Sequence, residues 1–157
     1  MSKAEGDTPT PQIVVQNRKA RHEFSILDTW EAGLVLQGTE VKSLRDSKAN
    51  LQDAFARIDN GEMWLYNLHI SPYEMGNRNN HDPLRPRKLL MHRAELRKLV
   101  GKVEQKGLTL VPLDIHFIRG RAKVTVALAR GKHMHDKRDD LRRRDAQREI
   151  QRGMKDA

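Results

Sequence analysis

Over most of the stretch from residue 17 to about residue 132, apolar side chains recur at every second position, the period of a strand with one buried and one solvated face. The plainest run is Ala122, Val124, Val126 and Leu128, interleaved with Arg121, Lys123, Thr125 and Ala127, which gives that strand a core face and a face carrying cations. Upstream of Gly120, Leu108 and Leu110 lie in one register and Leu113, Ile115 and Phe117 in the other, so a bulge or bend at Val111-Pro112 is needed to make one strand ending at Ile118. Phe24 and Ile26 alternate with Glu23 and Ser25, and Leu34 and Leu36 mark a second strand or a bent continuation. Between Ala54 and Tyr66 the pair Asn60-Gly61 supplies the positive φ angles of a tight hairpin turn. Helical spacing is confined to short pieces. Gly38-Thr39-Glu40 opens a helix through Val41 and Leu44 to about Ser47, and Leu96, Leu99, Val100 and Val103 form an apolar stripe between His92 and Gly107, with a break expected near Gly101. Five or six antiparallel strands with about three short peripheral helices predict a mainly β fold: a small closed barrel with an OB-like core.

At 157 residues the chain has room for one such domain. Residues 1–16 are small and polar and read as a flexible leader, 17–132 as the barrel, and 133–157 as a basic tail. Ala146, Ile150 and Met154 recur every fourth residue of that tail among many arginines, a pattern for a segment disordered when free and helical against an anionic partner. Residues 71–87, dense in Pro, Gly and Asn, read as a long loop.

Lys and Arg number 30 against 21 acidic residues, a formal charge of +9 that calls for an acidic partner. The cations gather at Arg18-Lys19-Arg21, at Arg85-Arg87-Lys88 with Arg93, Arg97 and Lys98, and at Arg121, Lys123, Arg130, Lys132 and the tail. Only seven aromatics are present, too few for a stacking platform, so folded RNA read through its backbone and shape fits better than a naked strand. The chain has no cysteine, which removes thiolate chemistry and cysteine-bound zinc. No stretch approaches the roughly 18 apolar residues of a membrane span, and a cytoplasmic protein is expected. His133, His135 and Asp136 are of metal-ligating type, but no further ligand cluster lies near them in sequence; stacking or hydrogen bonding to nucleic acid is the other reading. Phosphate-loop, dinucleotide, nucleophile-elbow and zinc-protease motifs are all missing, so neither an enzyme nor a cofactor is expected.

The blocks Asn17-Arg-Lys-Ala-Arg-His-Glu-Phe24, Glu31-Ala-Gly-Leu-Val-Leu-Gln-Gly-Thr-Glu-Val-Lys-Ser-Leu-Arg45, Lys48-Ala-Asn50, Asp82-Pro83, Arg87-Lys-Leu-Leu-Met-His92, Lys106-Gly-Leu-Thr-Leu-Val-Pro-Leu113 and Gly131-Lys-His-Met-His-Asp-Lys-Arg138 follow one another in an order that closely resembles the SsrA-binding protein (small protein B) family. The resemblance implies an antiparallel OB-like barrel that binds the tRNA-like domain of transfer-messenger RNA, also called SsrA RNA. With that RNA, alanyl-charged and carried by elongation factor Tu, the family acts on stalled bacterial ribosomes in trans-translation. By position, Arg18, Lys19, Arg21, His22, Phe24, Glu31, Lys88, Leu90, His92, Lys123, Arg130 and Lys132 match the family's RNA-binding surface. His135, Asp136, Lys137 and Arg138 match the part that engages the decoding region, and the tail with Arg144, Ile150, Met154 and Lys155 matches the segment that enters the empty messenger channel as a helix. Some relatives carry Asn where His92 stands and Trp where Ala146 stands. The resemblance implies a monomer, with elongation factor Tu met only through the charged RNA and no membrane partner. A generic structured-RNA-binding translation factor or RNA chaperone is the alternative.

Overall fold

The computed structural model describes residues 10–75, 80–104 and 107–132. Nine strands and three helices follow in the order β1 (Gln12–Gln16), α1 (Arg18–Glu23), β2 (Phe24–Leu34), α2 (Gly38–Arg45), β3 (Ala49–Asn50), β4 (Phe55–Asp59), β5 (Glu62–Tyr66), β6 (His69–Ile70), β7 (Arg87–Leu90), α3 (Arg93–Val103), β8 (Leu108–Ile118) and β9 (Arg121–Gly131). All pairings are antiparallel, and they run β8–β4–β5–β7–β2–β9 and back to β8, a ring of six strands. β1 pairs with the far half of β8, and β3 pairs with β6 in a separate ribbon. The mainly β expectation holds, with more strands than the five or six read from periodicity. The extra ones are two-residue pieces, together with β1, which occupies residues 12–16 of the stretch read as a leader. Its pairing to β8 (Val15 opposite Ile115) explains why Ile13-Val14-Val15 is apolar.

Two hairpins hold the ring. Asn60 (φ 52°) and Gly61 (φ 75°) turn β4 into β5, and Arg119 (φ 50°) and Gly120 (φ 76°) turn β8 into β9. Both turns have two consecutive positive φ angles, the geometry whose twist matches paired strands. β2 is one continuous strand to Leu34, with a register shift between Ile26 and Asp28, and α3 runs through Gly101 without a break.

The phase change in β8 appears as a register shift between Pro112 and Asp114. It divides the apolar residues differently from the sequence reading. Leu110, Ile115 and Phe117 face the interior with Val124, Val126 and Leu128, whereas Leu113 joins Val111, Ala127 and Ala129 in a second cluster on the other side, capped by Ala20 of α1. Asn17 fastens that helix. Its side-chain oxygen accepts from the Ala20 N–H at 3.1 Å, and its amide donates to the carbonyls of Leu51 at 3.0 Å and Pro112 at 2.9 Å. A helix of six residues does not persist alone in water, so burial of Ala20 and this cap hold it.

The described part of the 71–87 loop is tied down by polar bonds. His81, buried, bridges the Thr39 hydroxyl and the Ile70 carbonyl at 2.9 Å each. Beneath it Glu40 is fully enclosed and accepts from the Gln37 N–H at 2.8 Å, from Arg85 Nη2 at 2.5 Å and from Arg87 Nε at 2.5 Å. Arg87, also fully enclosed, donates further to the carbonyls of Leu68, Pro83 and Asp82. Burial alone pushes the Glu40 carboxyl upward; the Arg85 hydrogen bond, the Gln37 N–H and the Arg87 guanidinium outweigh it and leave the group below the usual carboxylate range. A carboxylate depressed on folding stabilises the fold above its unfolded value, and that contribution is lost as pH falls through the folded one. Glu40→Ala strands the buried Arg87 guanidinium and removes the partner of the part-buried Arg85, and is expected to cost about 3–5 kcal/mol in urea unfolding at pH 7. The gap between parent and variant should narrow on acidification below the ordinary carboxylate range.

Candidate nucleic-acid interface

Directly opposite residues of an antiparallel pair share a face, so the registers place the candidate residues without further assumption. Leu90 on β7 stands opposite Gly33 on β2, Gly33 opposite Lys123 on β9, and Lys123 opposite His116 on β8. One step along the same face, Glu31 is opposite Thr125 and Thr125 opposite Asp114. Thus Leu90, Lys123 and Glu31 converge from three strands on the outer face of the ring. α1 covers the neighbouring part of that face, above Ala127 and Ala129, and presents Arg18, Lys19, Arg21 and His22 to solvent.

Gly33 has a local reason. A Cβ there would lie 3.4 Å from the Leu90 Cβ, so the missing side chain leaves room for Leu90 to stand on the surface, where it is 54% exposed. Leu90 and Lys123 border a shallow cleft of about 280 Å³ whose floor includes Leu36, Val41 and Phe117. His92 is the exposed residue that starts α3, without a side-chain cap bond. Lys88 shares its face with Leu90 but is held by Glu62 at 3.1 Å, and Lys19 by Asp53 at 3.4 Å. Phe24 is half-buried against the cluster beneath α1.

Two cations fall elsewhere than sequence grouping suggests. Lys123 and Arg130 are seven residues apart on β9, an odd number, so they lie on opposite faces; Arg130, opposite Leu108 and Ser25, has the parity of the core residues and is exposed only because the strand ends there. Arg87, grouped with Arg85 and Lys88 by charge, is the buried partner of Glu40 and no surface cation at all. Lys132 is exposed at the edge of the described residues, and His135, Asp136, Lys137, Arg138, Arg144, Ile150, Met154 and Lys155 lie outside them, as does the whole of 133–157.

Sequence reading missed one cluster. His116, 4% exposed, places Nδ1 2.7 Å from Asp114 Oδ1 and Nε2 3.1 Å from Glu31 Oε2, while the Thr125 hydroxyl donates to Asp114 Oδ1 at 3.0 Å. Three polar residues, Asp114, His116 and Thr125, in the middle of an apolar strand pair were the available signal, since a sheet face covered by nothing but core does not carry Asp, His and Thr. Among the described residues no group of three or more His, Asp or Glu side chains is disposed to hold a metal ion. None of the described helices is long and apolar enough to cross a membrane. Cations, an exposed leucine and a fixed carboxylate on one face suit a partner with phosphates, unstacked bases and hydrogen-bond donors, the chemistry of folded RNA.

Residues 14–156 match the family model described as SmpB protein. The chain belongs to the SsrA-binding protein family. It is 65% identical over 141 residues to the SsrA-binding protein of Desulforudis audaxviator, covering 90% of this chain and 92% of that one. It is 56% identical over 155 residues to that of Enterococcus faecalis, covering 99% and 97%. A solved structure described as "tmRNA-SmpB: a journey to the center of the bacterial ribosome" contains a chain 60% identical to this one, superposing with a TM-score of 0.65 over 75% of this chain and 83% of that chain. The positions that the sequence resemblance assigns to an RNA surface include both exposed side chains and ion-paired ones such as Lys19 and Lys88. Burial separates surface from scaffold in thermal unfolding: Lys123→Ala and Leu90→Ala are expected to stay within about 0.5–1 kcal/mol of the parent, and Arg87→Ala to lose about 3 kcal/mol or more.

Proposed function

We propose that the protein binds the tRNA-like domain of transfer-messenger RNA and brings it to stalled bacterial ribosomes for trans-translation. The observation that carries this reading is membership of a family whose relatives are named for binding SsrA RNA, in a chain whose outer face gathers Lys123, Leu90 and Glu31 beside the cationic helix α1. In this reading the ring of strands is an OB-like barrel used as a rigid platform. Arg18, Arg21, Lys123 and Arg130 hold the RNA backbone, Leu90 and His92 pack on unstacked bases, and Glu31 accepts a base or ribose donor. Arg130 and Lys132 extend the contact round the strand end toward the tail. His135 to Arg138 engage the decoding region, and the tail with Arg144, Ile150, Met154 and Lys155 lies as a helix in the empty messenger channel. The protein acts as a cytoplasmic monomer, meets elongation factor Tu through the charged RNA, and needs neither cofactor nor catalytic residue.

Binding to the tRNA-like domain, measured beside an elongator tRNA across a salt series, is expected to favour the former by about tenfold or more at physiological salt, where nonspecific phosphate binding fades. Equal affinities that collapse together with salt would leave a generic structured-RNA binder. Charge reversal at Lys123 and Arg130 should weaken binding by more than about 1 kcal/mol and flatten the salt slope. Truncation after Arg138 should spare RNA binding and abolish peptide tagging in a reconstituted translation reaction; retained tagging counts against the role of the tail.

A further inference from the structure

The proposed RNA face carries a net-positive field, and a carboxylate at its centre is at first sight misplaced. Glu31 is half exposed, and only one of its oxygens faces solvent without a partner among the described residues: Oε2 is engaged by His116. Beside Glu31 the polar groups form a row across the outer face of the sheet. His116 is in turn engaged by Asp114, and Asp114 by Thr125, each step between 2.7 and 3.1 Å. The three residues come from two strands, β8 and β9, and reach a carboxylate on β2, to which β8 is not paired. They therefore fix the position of Glu31 across the width of β9. Asp114 and His116 are buried although they sit on the outer face of the ring. Buried polar side chains cost free energy unless fully partnered, and these are partnered only as a set.

We propose that His116 is a positioning residue for RNA recognition, backed by Asp114 and Thr125, which holds the Glu31 carboxylate in one orientation with Oε1 presented to a hydrogen-bond donor of the RNA, a ribose 2′-hydroxyl or a base N–H. The inference deepens the reading of Glu31 as an RNA contact and rests on it. A free glutamate on a strand samples several rotamers, and ordering it at the moment of binding costs affinity. Pinned through Oε2, it makes no such payment. The negative charge also repels phosphate, so this point of the face selects for a donor edge, while Lys123 next to it takes the backbone. The charged groups that surround the ring are Glu31 from β2, Asp114 from its own strand and Lys123 directly opposite on β9; the residue opposite on β1 is Ile13, which is uncharged.

The test uses two side chains that each keep one of the two imidazole positions. In His116→Gln the amide nitrogen falls near Nε2 and still donates to Glu31; in His116→Asn it falls near Nδ1, faces Asp114 and does not reach Glu31. Affinity of the full-length protein for the tRNA-like domain is expected to stay within about twofold of the parent for Gln and to fall about five- to tenfold for Asn, the size of one ordinary net hydrogen bond. The two variants should unfold at the same temperature within a few degrees, so that a stability effect moves both alike. Equal affinities of the Gln and Asn variants would overturn the positioning role. Glu31→Gln separates the two levels of argument: it removes a charge that repels phosphate, so tighter binding by this variant would overturn the reading of Glu31 as a donor-selecting contact, whereas weaker binding together with equal Gln and Asn variants at position 116 would overturn only the part assigned to His116.

Discussion

The pairing of β8 with β9 is the constraint on which the rest of the structure depends. β8 is the strand that closes the ring, bonded to β9 along one edge and to β4 and β1 along the other. The register shift after Pro112 reverses which of its side chains point inward. Before it Val111 faces out under α1; after it Ile115 and Phe117 face in, and Asp114 and His116 take the outer face. A slip of one residue would place Asp114 and His116 in the apolar interior and expel Ile115 and Phe117, a penalty large enough to specify the register. One bulge thus makes three surfaces at once: the core, the seat of α1 and the polar row that meets Glu31.

Charge is handled in two ways. The buried Glu40–Arg87 pair, with Arg85 at its edge, bonds the carbonyls of Asp82 and Pro83 in the loop and of Leu68 before it, and so helps to convert a long irregular connection into a fixed wall of the fold. The outer face instead leaves the cations of α1 in water and Lys123 part-exposed, where the charges are inexpensive to keep and available to phosphates. Neighbouring cations in sequence can therefore have opposite roles. Arg87 and Lys88 are adjacent, and the strand pleat sends one into the scaffold and the other to the surface.

Much of this was legible beforehand. The Asn60-Gly61 and Gly120 turns, the β9 alternation, the stripe of α3 and the phase change near Pro112 are local signals that depend on neighbours a few residues away, and each has its counterpart in the structure. β1 was hidden because five residues with one apolar patch look the same whether or not a strand edge awaits them. Leu113 was misassigned since a phase change can be placed one residue early or late without altering the pattern. Arg87 carried the composition of a phosphate contact, and only the enclosed Glu40, 47 residues away, gives it another part.

The sequence alone determined the strand class, the turns, the excess of positive charge and, through its ordered blocks, the family. These follow from periodicity, backbone preference and composition, which are properties of short segments and of sums. The tertiary structure decided which cations are surface and which are scaffold, that Lys123 and Arg130 face opposite ways, and that Glu31, Asp114, His116 and Thr125 form one row. Those facts depend on strand register and on contacts between residues as many as 85 positions apart, and no local pattern encodes which of two distant polar residues will be set opposite each other.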